Sequence, residues 1–167
     1  MGVTMETAQR ARMPVAWPWI STAARLGLAA VWIVAGAVKV SDLAASARAV
    51  NAYDLMPYDA AKVVGAVQPF VEIALGLLLL IGLAVRLSAG ISALLLVIFI
   101  AGIISAWSRG LAIDCGCFSK GGELGAGQSP EYAWEIARDV GFLVLAGILL
   151  WRPWTRFSVD GLIGGTR

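Results

Sequence analysis

The sequence predicts an all-α integral membrane protein: a bundle of four transmembrane helices with a cysteine-bearing extracytoplasmic loop between the third and fourth. Three observations lead there. Hydrophobic residues make up 59% of the chain and charged residues only 14%, whereas soluble domains carry about a quarter charged residues. The apolar residues gather into four runs, each close to the roughly 20 residues that cross about 30 Å of hydrocarbon. Between the last two runs lies a polar, glycine-rich stretch, Ser108 to Pro130, that reads as irregular structure and holds both cysteines.

The first span is expected at about residues 20–40. Arg10 and Arg12 precede it as they would a secretory signal, but Val38, Lys39 and Val40 follow in place of small residues at a cleavage site, so it reads as an uncleaved span. Between it and the second span, Ser41 is expected to cap a short interfacial helix with Leu43, Ala47 and Val50 on one face, ended by Pro57 and serving as a connector. The second span is expected at about 63–83 and the third at about 87–107, with Ala84, Val85 and Arg86 as a tight hairpin turn between them. The fourth, at about 131–151, opens with two amphipathic turns before becoming wholly apolar. All four belong to a single domain over 1–167, with flexible tails at 1–15 and 155–167. Trp17 and Trp19, Trp107 and Trp134, and Trp151 and Trp154 fall near span ends, where an aromatic belt places them.

Four spans put both termini on one side with the hairpin turn. Arg10, Arg12, Arg86, Arg152, Arg156 and Arg167 lie on that side, while Lys39, Arg48, Lys62, Arg109 and Lys120 share the other with most of the acids. The positive-inside rule then predicts a multi-pass protein of a bacterial plasma membrane, with cytoplasmic termini and the cysteine loop outside. A net charge of +2 without a basic block gives no reason to expect a nucleic-acid partner.

Cys115 and Cys117, one glycine apart in "DCGCF", are the only cysteines, and the chain has no histidine. On the oxidising side of a membrane such a pair can close into a small disulfide ring, the intervening glycine tolerating the φ values required. A strained ring is labile and oxidising, whereas a staple between near neighbours removes little unfolded-chain entropy. Redox exchange is therefore the leading reading, ahead of a structural pair. Metal comes last, because two sulfurs without histidine leave a tetrahedral site half empty. Arg109 and Lys120 are expected to favour a thiolate and Asp114 to oppose one.

Polar residues inside the spans form a second candidate site. Gly65, Gln68, Glu72 and Gly76 share an arc of about 80° on the second span. Arg25, Ala29, Trp32, Gly36 and Lys39 form a matching stripe on the first. The fourth span adds Glu135, Arg138 and Asp139, with Arg138 about 10 Å below its start. Glu72, Lys39, Arg138 and Asp139 are thus expected to gather beneath the cysteine loop. They would act either as ion pairs holding the helices in register or as a proton-handling or quinone-head-group site. Arg25 and Lys39, near span ends, are open to snorkelling.

Several segments together, "RLGLAAVWIVAGAVK", "AYDLMP", "QPFVEIALGLLLLIG", "RGLAIDCGCF" and "IARD", resemble the MauE/DoxX family of redox-associated membrane proteins, most closely its MauE side. The resemblance runs from about Arg25 to Trp151, with Ser119 where the family commonly has glycine after CGCF. It implies a four-helix membrane bundle engaged in extracytoplasmic thiol–disulfide chemistry with a thioredoxin-like partner. It carries over Glu72, Cys115 and Cys117, then Arg138 and Asp139. A membrane quinone is the candidate onward acceptor. The rival reading is a non-catalytic accessory or assembly subunit of a membrane complex.

Overall fold

The computed structural model describes residues 16–116, 119, 121–125, 128–153 and 155–164. Cys117, Lys120 and Trp154 lie outside the described residues, as do Arg10, Arg12 and Arg167. Helix α1 (Trp17–Val40) starts earlier than expected, with proline in its first turn, where a missing N–H costs nothing. Helix α2 (Leu43–Ala52) is capped by Asp42, whose side chain accepts from Ala45 N at 2.9 Å. The expected cap, Ser41, instead donates to the Val38 carbonyl.

Helix α3 (Tyr58–Ile81) begins directly after Pro57 and runs unbroken through Pro69. Pro57 therefore starts α3 and does not end α2, which has already stopped at Ala52. Gly82, at φ 71°, closes α3 in the left-handed conformation that glycine adopts without strain. Helix α4 (Val85–Ser108) follows after Ala84. Two short strands, β1 (Ile113–Asp114) and β2 (Gly122–Glu123), pair antiparallel within the stretch expected to be irregular. Helix α5 (Tyr132–Trp151) and a short α6 (Val159–Gly164) complete the order.

Among the described residues, α1, α3 and α4 are long and apolar enough to cross a membrane. Helix α5 has 20 residues but carries Glu135, Arg138 and Asp139 in its first two turns, and it falls short of that composition. It packs nonetheless along α4 and α1. Leu28, Trp32, Leu75, Leu79, Ala89, Leu96 and Leu149 form the shared core. A smaller cluster of Ile103, Ala106, Ile113 and Tyr132 seats the strands against the helix ends.

Helices α1 and α3 approach closely through glycine. A Cβ on Gly36 would stand 2.6 Å from Ile73 Cγ1, and one on Gly76 2.6 Å from Ile33 Cγ1. Such close approach lets dispersion hold helices together where lipid offers no hydrophobic drive. The interfacial helix does more than connect. Ala45, Ser46, Ala47 and Ala49 are its buried face, and Ala47 lies against Gly65 of α3, where a Cβ would come within 2.6 Å. Leu43 is exposed, because only small side chains fit so near a neighbouring backbone.

The opposite end is clamped by residues 155–160, expected as a loose tail. Arg25 is 2% exposed and does not snorkel. It donates to the carbonyls of Leu79 and Leu80 at the end of α3, and to those of Arg156 and Phe157. The Asp160 carboxylate accepts from Ala84 N and Val85 N, each at 2.8 Å, and so caps α4 from another element.

Candidate functional site

The site lies at the end of the molecule where α1 finishes, α3 begins and the cysteine loop folds over. Asp114 shapes the loop: its Oδ1 accepts from Gly116 N at 2.9 Å and from Ser119 Oγ at 2.6 Å. Gly116 adopts φ 70°, as expected of the glycine between the cysteines. Gly121 packs so tightly that a Cβ would meet both Gly116 Cα and Ala49 Cβ at 2.7 Å. The loop thus rests on α2. Tyr132 bridges from α5, donating to the Leu111 carbonyl and accepting from Ile113 N.

Cys115 is half-buried beneath this loop. Its carbonyl accepts from Tyr53 Oη at 3.1 Å and its N–H points to Glu135 Oε1 at 3.4 Å. Its sulfur lies 3.6 Å from a guanidinium nitrogen of Arg138. The cation at the sulfur is therefore Arg138. Arg109, expected in that role, donates to the carbonyls of Tyr53 and Asp54 because the chain turns sharply after α4. Cys117 lies outside the described residues.

Ligand atoms of Asp114, Cys115 and Glu135 all lie within 4.8 Å of one another. Hydrogen bonds within the loop already engage one oxygen of each acid. The second oxygen of Glu135 is buried and has no hydrogen-bond partner among the described residues.

One turn deeper are the buried charges. Lys39 Nζ meets both oxygens of Glu72, at 2.7 and 2.9 Å, and Gln68 Nε2 donates to the same carboxylate at 2.9 Å. Glu72 is wholly buried and Lys39 nearly so. Snorkelling is therefore not how Lys39 is accommodated. Arg138 forms an ion pair with Asp139 at 3.0 Å. Lys39, Glu72 and Asp139 share a void of about 20 Å³ with Trp32 and Phe99, room for a single water. The four charges lie together as two ion pairs, Lys39–Glu72 and Arg138–Asp139, with Lys39, Glu72 and Asp139 facing the void. Trp32, on the same α1 stripe, donates to Ser92 Oγ of α4 at 2.9 Å.

Beside the void is a larger cavity of about 150 Å³, bounded by α2, α3, α4 and the cysteine loop. Lys39 and Gln68 contribute to its wall, as do Tyr53, Cys115 and Gly116. Sequence reasoning did not single out Tyr53 as functional, and it named Glu135 only among the charges opening the fourth helix. The one signal for Tyr53 was its place in "AYDLMP".

Compared with known proteins, the chain matches over residues 17–152 the family model described as methylamine utilisation protein MauE. No curated protein and no solved structure matches the chain.

Proposed function

The chain belongs to the MauE family and is a membrane protein, and from that premise we propose that it is the membrane component of an extracytoplasmic thiol–disulfide system. In this reading Cys115 and Cys117 exchange electrons with a thioredoxin-like protein. The observation that carries it is the Arg138 guanidinium 3.6 Å from the Cys115 sulfur. A cation beside sulfur stabilises the thiolate, which is both the nucleophile and the better leaving group in disulfide exchange. In this reading Glu135, one helical turn before Arg138 and within 4.8 Å of the same sulfur, takes the thiol proton through one water.

The reading takes α5 as a fourth span, its charged turns covered by α1, α4 and the loop. Arg86, Arg152 and Arg156 then lie on the cytoplasmic side of a bacterial plasma membrane, and the cysteines face the oxidising compartment. The rival, a non-catalytic assembly subunit, assigns the charged residues to holding helices in register.

Single replacements decide between them. With Cys115→Ser or Cys117→Ser in native membranes, the remaining thiol is expected to accumulate a mixed disulfide with a soluble thioredoxin-like protein, visible on non-reducing gels. If neither variant traps a partner and both keep full activity in cells, the exchange reading is wrong and the scaffold reading replaces it.

A further inference from the structure

We propose that the cavity between α3 and α4 binds the ring of a lipid-soluble quinone, which takes the electrons that the cysteine pair collects. The inference rests on the thiol-exchange reading and supplies what that reading lacks, a second partner for a single cysteine pair.

Size comes first. The void shared by Lys39, Glu72 and Asp139 holds a water and no ring, so the charge cluster cannot itself be the head-group site. The neighbouring cavity of about 150 Å³ matches the volume at which an apolar cavity admits a benzene ring.

Its position selects the solubility class. α3 and α4 pack against each other far less than α1 packs against α3. The gap is flanked by Val64 and Ile98, both exposed on the outer faces of membrane-crossing helices. An occupant therefore enters sideways from lipid. The lining selects the chemistry. Val64, Ile98 and Phe99 offer flat apolar walls, and the donors stand at one end, where Lys39 and Gln68 bond Glu72 and each carries a further N–H. A planar ring with a carbonyl acceptor turned toward Lys39 and Gln68, and its other edge against Cys115, matches that distribution.

Cys115 is part of the wall, so the redox group is already beside the occupant. The cycle balances. A dithiol of the soluble partner reduces the Cys115–Cys117 disulfide by exchange and leaves as a disulfide. The resulting dithiol then re-forms its S–S bond, giving two electrons and two protons to the quinone, which becomes quinol. One pair serves both partners because the loop meets the soluble one from above and the cavity from below.

The full chain in lipid nanodiscs tests this with a photoreactive azido-ubiquinone as probe and decylubiquinone as competitor. Crosslinks are expected on the α3 and α4 walls and to be competed away by decylubiquinone. Gly102→Leu, which extends a side chain from the cavity wall past Tyr53, should reduce them at least tenfold. Val64→Trp, at the mouth, provides a second variant should the first fail to fold. Labelling spread evenly over the outward helix faces, or labelling indifferent to both variants, overturns the proposal. So does specific labelling by a protein whose reduced form gives no decylubiquinol under anaerobic conditions. Partner trapping by the cysteine variants is read separately, so exchange without quinone labelling sinks the cavity alone, and labelling without trapping sinks the exchange reading.

Discussion

Glu72 and Lys39 are each other's solution to burial. A carboxylate at that depth is tolerable only because the ammonium and the Gln68 amide satisfy it. Glu72→Gln should leave the lysine charge uncompensated and cost about 3–5 kcal/mol, the usual toll for breaking a buried pair, read as a lowered unfolding midpoint in detergent. The double change Lys39→Met with Glu72→Leu is expected to recover most of that stability. If it also recovers activity in cells, the pair is structural; if activity stays lost, the charges take part in the chemistry. At the sulfur, Arg138→Gln should slow Cys115 alkylation by about tenfold or more, and Glu135→Gln should slow disulfide exchange with the soluble partner by a similar factor, each measured as a rate. An unchanged rate in both would remove the two side chains from the mechanism. The sequence made the intramembrane charges conspicuous, since each is costly where it stands. It could not say that Arg138 rather than Arg109 reaches the sulfur, because that depends on where a glycine-rich loop folds back.

Among the elements, α2 changed most in meaning. Its alanines looked like a weak amphipathic connector, yet they form a surface small enough to lie on Gly65 and support Gly121. Gly65→Leu should therefore lift α2 off α3 and distort the cavity roof, with an overpacking cost of about 1–3 kcal/mol. The expected signature is faster proteolysis near residues 41–56 while the helices stay inserted. Protection equal to the wild type would show that the contact is slack. The capping pattern was only half legible. Pro57 and Gly82 mark helix boundaries by backbone geometry alone, whereas Asp160 caps α4 from 75 residues away, and no local pattern records such a contact.

At the scale of the whole molecule, the antiparallel succession of α1, α3 and α4 places the cysteine loop and the Arg25 clamp at opposite ends. Arg25→Leu would strand buried carbonyls at the end of α3, each worth about 1–3 kcal/mol, and should release residues 155–160 to protease. Arg25→Lys should restore only part of the loss, since an ammonium cannot fork to four carbonyls as a guanidinium does. In right-side-out vesicles a membrane-impermeant maleimide should label the reduced cysteine loop and leave a cysteine placed at Arg86 untouched; the reverse pattern would invert the proposed orientation. By itself the sequence determined that the chain enters a membrane and roughly where its apolar helices run, and it marked two thiols and a few intramembrane charges as candidates for chemistry. Burial of apolar length and the cost of charge in hydrocarbon act locally enough to be read residue by residue. Only the tertiary structure decided that the Lys39–Glu72 pair and Asp139 share one void, that Arg138 meets Cys115, and that a ring-sized cavity opens between α3 and α4. Those outcomes depend on how closely glycine and alanine let distant backbones approach.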